Sequence, residues 1–74
     1  MNSNREIIGL VLKQLRVEKG ISLENLSYDL DIDKKYYWMI EKGRANFSMN
    51  KLEIILKYFK ISQKNFFIKV DKFS

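Results

Sequence analysis

Basic and carboxylate side chains carry whatever chemistry this sequence can do. The 74 residues include no Cys and no His, which removes the thiolate nucleophile, the commonest metal ligand and the commonest general base near neutral pH. Arg16 and Glu41 could be taken for a catalytic base and acid, but no phosphate-binding Gly loop or paired-carboxylate motif accompanies them. We therefore expect no enzyme, no metal site and no cofactor.

The surplus of positive charge points to a different kind of activity. Fourteen Lys and Arg face nine Asp and Glu, for a net charge of +5. A basic small domain is compatible with a polyanionic partner such as nucleic acid. The same surplus also keeps a small protein soluble, so charge alone leaves both interpretations open.

Apolar residues at three- and four-residue spacing predict the helices that must position these side chains. The first helix is predicted over Arg5–Lys19, where Gly20 ends it. Ser22 is a good N-cap for a short second helix that ends near Leu30. The third helix is predicted from Lys34 to Glu41.

Short breaks with specific turn residues separate the helices. Asp31 tolerates the left-handed backbone that a tight turn between two helices can demand. Asp33 is the predicted N-cap of the third helix, and Gly43 closes it. Ser48 caps a fourth helix, and Ser62 caps a last turn that contains two phenylalanines.

Residues 1–74 are predicted to form one domain, because no linker, repeat or low-complexity tract interrupts them. The polar start, residues 1–4, is expected to fray. The tail, residues 68–74, alternates apolar and charged residues in the manner of a strand. No segment has the roughly 18 apolar residues of a membrane span, and the start lacks the layout of a signal peptide. We therefore expect a cytoplasmic protein.

The apolar residues exceed what the core of such a small domain needs. The core is predicted to contain Ile8, Leu12, Leu15, Ile21, Leu26, Leu30, Ile32, Tyr37, Ile40, Leu52, Ile55 and Phe59. A lone domain of this size without disulfides is marginally stable, so an interface between subunits would help. The late apolar residues are interpreted as a homodimer interface, or alternatively as a lid on the core: Leu56, Phe59, Phe66, Phe67 and Phe73.

Two short helices joined by a three-residue turn are typical of the DNA-binding helix-turn-helix. In that motif the second helix lies in the major groove, about 12 Å wide, and the first crosses the DNA backbone. The stretches Glu18–Ser22, Glu24–Leu26 and Ile40–Arg44 resemble the lambda-repressor-like, Xre-type regulators. Further matches over Ile7–Phe67 are Ile8, Gly9, Leu12, Leu15, Arg16, Leu52, Ile55, Phe59, Ile61 and Ser62.

The resemblance implies a compact, all-α, five-helix domain and a role for each matching residue. With the groove geometry it makes Lys34 and Lys35 readers of bases or phosphates, and helical spacing adds Tyr36, Trp38 and Met39 as predicted base contacts. Contacts with phosphates are predicted for the residues that flank this helix: Ser22, Lys42, Arg44 and Asn46. The resemblance makes Arg16 and Glu41 a structural ion pair. The plainer alternatives are that the lysines are merely solvated, that Ser22 is only a cap, and that Trp38 packs against the second helix.

The resemblance also implies the function. Within the family, Asn46 and the pair Phe66–Phe67 look most like the controller proteins of restriction–modification systems. We expect a sequence-specific regulator of transcription that binds double-stranded DNA as a homodimer on a near-palindromic site, without a small-molecule effector. Family members usually have Gln at position 23 and a small polar residue at position 38. Leu23 and Trp38 therefore favour the alternative, an antitoxin or phage-type module that binds a protein.

Overall fold

Five helices make up the fold of residues 3–73, the part of the chain that the computed structural model describes. They are α1 (Asn4–Glu18), α2 (Leu23–Leu30), α3 (Lys34–Glu41), α4 (Met49–Tyr58) and α5 (Gln63–Lys72). No strand occurs among these residues, so the all-α, five-helix prediction is confirmed. None of these helices has the length and apolar character of a membrane span.

The predicted caps set the starts of four helices. Ser22, Asp33, Ser48 and Ser62 each accept a hydrogen bond from the backbone N–H three residues later. Each cap satisfies one of the amide groups that the first turn of a helix leaves without a partner. Helix starts in this chain are therefore encoded by single local residues.

The beginning of α1 differs from the expectation that residues 1–4 fray. Ser3 caps α1, and Asn4 is its first residue. The Ser3 hydroxyl accepts from the Glu6 N–H at 3.2 Å, and the Glu6 carboxylate accepts from the Ser3 N–H at 3.1 Å. This reciprocal pair is a capping box, which fixes the first turn. Residues 1 and 2 lie outside the described residues.

The end of the chain also differs from the prediction. The tail that was expected to resemble a strand continues α5 as far as Lys72. Phe66 and Val70 are four residues apart, and both are buried. Because side chains at that spacing share one face of a helix, the helix buries both against the other helices. A strand would also have placed Ile68 on the same face as these two residues, but Ile68 is exposed.

One core joins the five helices, with α1 against α3 and α5, and α4 against α2 and α5. Nine of the predicted core residues are buried, whereas Ile8, Ile21 and Leu30 are only half-buried at its edge. The core also includes Ile7, Val11, Ala45 and Val70, which the predicted core did not contain.

The predicted dimer interface needs a correction. Leu56, Phe59 and Phe66 are buried within the protomer, with exposed fractions of 2%, 1% and 0%. These three side chains belong to the core, because α5 folds back over α1 and α4 and covers them. Of the five predicted interface residues, Phe67 is half-buried and Phe73 is exposed, so these two can still contact a second subunit.

Candidate nucleic-acid interface

A rigid turn sets the angle between α2 and α3. Asp31 has a left-handed backbone with φ of 52°, which Asp tolerates better than most residues. Ile32 is buried in the core, and its N–H donates to the Ser27 carbonyl oxygen at 2.9 Å. Asp33 then caps α3. The turn is thus anchored at each of its three residues, which holds α3 at a fixed angle to α2.

One face of α3 points to solvent. Lys35, Trp38, Met39 and Lys42 recur at the three- and four-residue spacing of a helix face. We call these four residues the α3 stripe. Lys35 and Lys42 are exposed, Trp38 has an exposed fraction of 38%, and Met39 is half-buried. The Lys42 Nζ lies 5.6 Å above the Trp38 ring, a cation–π distance that orients both side chains.

An ion pair borders the α3 stripe on the side of α2. The Lys34 Nζ lies 3.0 Å from Oε1 of Glu24, and both side chains are largely exposed. An exposed pair of this kind contributes at most about 1 kcal/mol to stability. It nevertheless gives Lys34 a partner within the protein. The sequence analysis did not connect Glu24, in the first turn of α2, with Lys34.

A hydrogen-bonded loop borders the α3 stripe on its other side. The Tyr36 hydroxyl donates to the carbonyl oxygen of Asn46 at 2.7 Å, and the Arg44 N–H donates to the Met39 carbonyl oxygen at 2.9 Å. Arg5, from the first turn of α1, donates through Nη1 to Oδ1 of Asn46 at 2.6 Å. Sequence reasoning did not single out Arg5, because 41 residues separate it from Asn46.

The ion pair between Arg16 and Glu41 ties α1 to the end of α3. Nε and Nη2 of Arg16 donate to the two carboxylate oxygens of Glu41 at 2.8 and 3.2 Å, and Nη1 donates to the Ile21 carbonyl oxygen at 2.9 Å. The side chains are 12% and 3% exposed. The hydrogen bond to Glu41 raises the pKa of Arg16, and burial partly opposes it. Such a bidentate pair, with both oxygens occupied, positions helices.

The ion pair with Arg16 neutralises Glu41, the acidic residue of α3. The charge of Glu41 also changes the pKa of Tyr37, one helical turn earlier. Burial, followed by the nearby charge of Glu41, raises the pKa of the Tyr37 hydroxyl above its ordinary value. Tyr37 therefore stays neutral in the core. With Glu41 turned inwards and paired, the α3 stripe contains no acidic side chain.

Four residues predicted to contact phosphates are exposed: Ser22, Lys42, Arg44 and Asn46. Ser22 Oγ also accepts from the Asn25 N–H at 3.0 Å, so capping already uses one of its lone pairs. Lys42 ends the α3 stripe, and Arg44 and Asn46 follow in the loop beyond it. Ser22 lies apart from these three, at the start of α2.

The structure explains why position 23 is the apolar Leu23. Its side chain is half-buried and packs against the core, so part of its apolar surface is covered within the protomer. Tyr28, which the sequence analysis left without a role, is the more exposed apolar residue of α2, at 87%.

Comparisons with known proteins agree with this arrangement. A family model described as a helix-turn-helix domain matches residues 9–72. The chain is 36% identical to the control protein C.MunI of a Mycoplasma species, over 97% of this chain and 99% of that protein. It is 31% identical to the control protein C.BamHI of Bacillus amyloliquefaciens, over 86% and 80% of the two chains.

A solved structure shares the fold. The restriction–modification controller protein C.Esp1396I, crystallised as a tetramer in complex with its natural 35-base-pair operator, superimposes with a TM-score of 0.85 at 30% identity. The match covers 97% of this chain and 95% of that one. The family model spans most of the chain, and C.MunI resembles it from end to end. The chain therefore belongs to the helix-turn-helix domain family and is a homologue of the control proteins.

Proposed function

We propose that this protein is a transcriptional regulator, not an enzyme, and that it binds a specific double-stranded DNA site with α3 in the major groove. The observation that carries the proposal is the α3 stripe. It faces solvent, is basic at Lys35 and Lys42 and contains no acidic side chain, and it lies on the second helix of a helix-turn-helix. This is the helix that contacts base edges in such proteins.

The stripe supplies the chemistry for base recognition. The Lys35 ammonium can donate to O6 and N7 of guanine in the major groove. Trp38 and Met39 offer apolar surface to a thymine methyl group. Lys34 and Tyr36 lie at the two edges of the stripe, where each is held by a protein partner. Their contacts with DNA are therefore expected at the margins of the groove.

Phosphate contacts position the protein and carry no sequence information directly. We assign them to Ser22 at the start of α2 and to Lys42, Arg44 and Asn46 at the end of α3. Lys42 is the last residue of the stripe, Ser22 precedes the stripe and Arg44 and Asn46 follow it along the chain, and all four side chains are exposed.

We also propose a homodimer. α3 has eight residues, so one copy contacts only a few base pairs. Two copies with α3 helices one turn of DNA apart, about 34 Å, would recognise a near-palindrome. The relative C.Esp1396I forms a tetramer on its operator, which supports self-association. Phe67 and Phe73 are the aromatic residues we assign to the interface.

Similarity to the control proteins supports regulation of restriction–modification genes as the biological role, exercised in the cytoplasm without a small-molecule effector. The alternative, a module that binds a protein, is supported less strongly by Leu23 than the sequence suggested, because that side chain is half-buried against the core. It retains Trp38, whose ring is partly exposed.

A footprinting experiment tests the proposal. Purified protein is added to the DNA upstream of its own gene, with a duplex of scrambled sequence as control. We expect two protected half-sites centred one helical turn apart, and binding to the scrambled duplex at least a hundredfold weaker. Equal affinity for both duplexes, or no binding to either, would overturn the proposal.

A further inference from the structure

Arg5 lies within the candidate interface although it belongs to the first turn of α1. Its guanidinium donates to the side chain of Asn46, and Tyr36 donates to the backbone carbonyl of the same residue. Asn46 is thereby held from two helices at once. Through it, Arg5 adjoins the edge of α3 from which Tyr36 extends.

The first turn of α1 and the loop after α3 are packed too closely to move independently. Gly43 has a left-handed backbone with φ of 71°, and a Cβ placed on it would lie 2.7 Å from the Glu6 Cα. Hydrogen bonds from Ser3 lower the pKa of Glu6, and the charge of Arg44 adds to this effect. Arg44 therefore lies within electrostatic reach of the turn that carries Arg5.

We infer that Arg5 is a DNA-binding residue, which contacts a backbone phosphate beside the groove occupied by α3, together with Arg44. This inference rests on the proposed function. When α3 lies in the major groove, the sugar–phosphate backbone passes beside the edge of the helix. Tyr36 lies at that edge of α3 and contacts Asn46, and Asn46 in turn contacts Arg5.

The chemistry of Arg5 suits this role. Among residues 3–73 the guanidinium makes one hydrogen bond, to a neutral amide, so most of its N–H groups remain for a ligand. A guanidinium offers five donors in a planar fork that matches two oxygens of a phosphate. The hydrogen bond to Asn46 orients the Arg5 guanidinium without neutralising its positive charge. The nearby Glu6 carboxylate accepts from the Ser3 N–H and is not paired with Arg5.

Salt dependence separates a phosphate contact from a structural one. Binding of a mixed-sequence duplex of about three helical turns is measured against salt concentration for wild type, Arg5→Ala and Arg5→Lys. Each phosphate contact contributes about 0.9 to the slope of log K against log salt for duplex DNA. We expect Arg5→Ala to weaken binding several-fold and to reduce the slope by about that amount, and Arg5→Lys to retain most of the slope.

Two control variants complete the test. Lys13→Ala removes the same charge from another exposed site of α1, in a groove with Phe73, and should leave the slope nearly unchanged. Asn46→Ala should weaken binding while keeping the contribution of Arg5 to the slope. If wild type binds the duplex but Arg5→Ala has an unaltered slope, the inference about Arg5 is wrong. If wild type binds neither this duplex nor its own upstream DNA, the proposed function itself fails.

Discussion

Gly9 of α1 lies directly against the backbone of Glu41 at the end of α3. A Cβ on Gly9 would come within 2.5 Å of the Ile40 carbonyl oxygen and would be equally close to the Glu41 carbonyl oxygen. The absence of a side chain lets the two helices approach at this point. Arg16 follows two turns later along α1, where it reaches the Glu41 carboxylate.

Gly9→Ala should therefore destabilise the protein although Ala favours a helix by about 1 kcal/mol over Gly. The new methyl group meets backbone atoms that no rotamer change can move, and we expect a net loss of about 2 kcal/mol. Urea denaturation measures it. Gly20→Ala is the control, since nothing lies within 4 Å of a Cβ there and only its φ of 67° causes strain. Equal stability of Gly9→Ala and wild type would show that α1 and α3 are further apart.

Arg16→Ala should cost about 3–5 kcal/mol, because it leaves the carboxylate of Glu41 buried without its partner. A double variant, with Met at both positions 16 and 41, should recover most of this loss by replacing the pair with apolar packing. Chemical denaturation of wild type and both variants provides the comparison. If Arg16→Ala unfolds at the same denaturant concentration as wild type, the pair is solvated and does not join the helices.

Ser27→Ala is expected to stabilise the protein by about 1 kcal/mol. The Ser27 hydroxyl is buried and has no hydrogen-bond partner among residues 3–73, so its removal ends a desolvation cost. Ser62→Ala is the matched control, which should destabilise by about 1 kcal/mol through loss of the α5 cap. The two thermal shifts should have opposite signs. A destabilised Ser27→Ala variant would indicate that the hydroxyl has a bound water.

Lys35→Ala should weaken binding to the specific site by about 1–3 kcal/mol and relax the base preference at one position. Lys34→Ala should have a smaller effect, because Lys34 is shared with Glu24. Fluorescence anisotropy with single-base variants of the site measures both effects. Lys57→Ala, an exposed lysine of α4, is the control. If Lys35→Ala has the same base preference as wild type, the hypothesis that the α3 stripe contacts bases is wrong.

Phe67→Asp should give a folded monomer that binds DNA much more weakly than wild type, because the half-buried ring is assigned to the dimer interface. Phe66→Asp should instead fail to fold, since it places a charge in the core. Circular dichroism separates the two variants, and sedimentation at micromolar concentration gives the association state. The dimer model is refuted by a wild-type protein that sediments as a monomer, or by a Phe67→Asp variant that binds DNA as tightly as wild type.

Features encoded by a single residue were predictable from the sequence. Ser22 and Asp33 cap helices through their own side chains, and Asp31 takes the left-handed conformation that its type tolerates. Features that depend on packing were not. Whether Phe66 faces the core or a second subunit depends on how α5 lies over α1. The approach of Arg5 to Asn46 depends on two segments that are distant along the chain.

The local caps and the lack of proline in this sequence have a consequence for folding kinetics. Slow isomerisation of X-Pro bonds, which takes tens to hundreds of seconds, cannot delay refolding of this chain. Helical domains rich in local contacts fold in microseconds to milliseconds. We expect a single rapid folding phase, so that each newly made chain reaches its native state with almost no lag. The appearance of folded protein in a cell would then follow its synthesis directly.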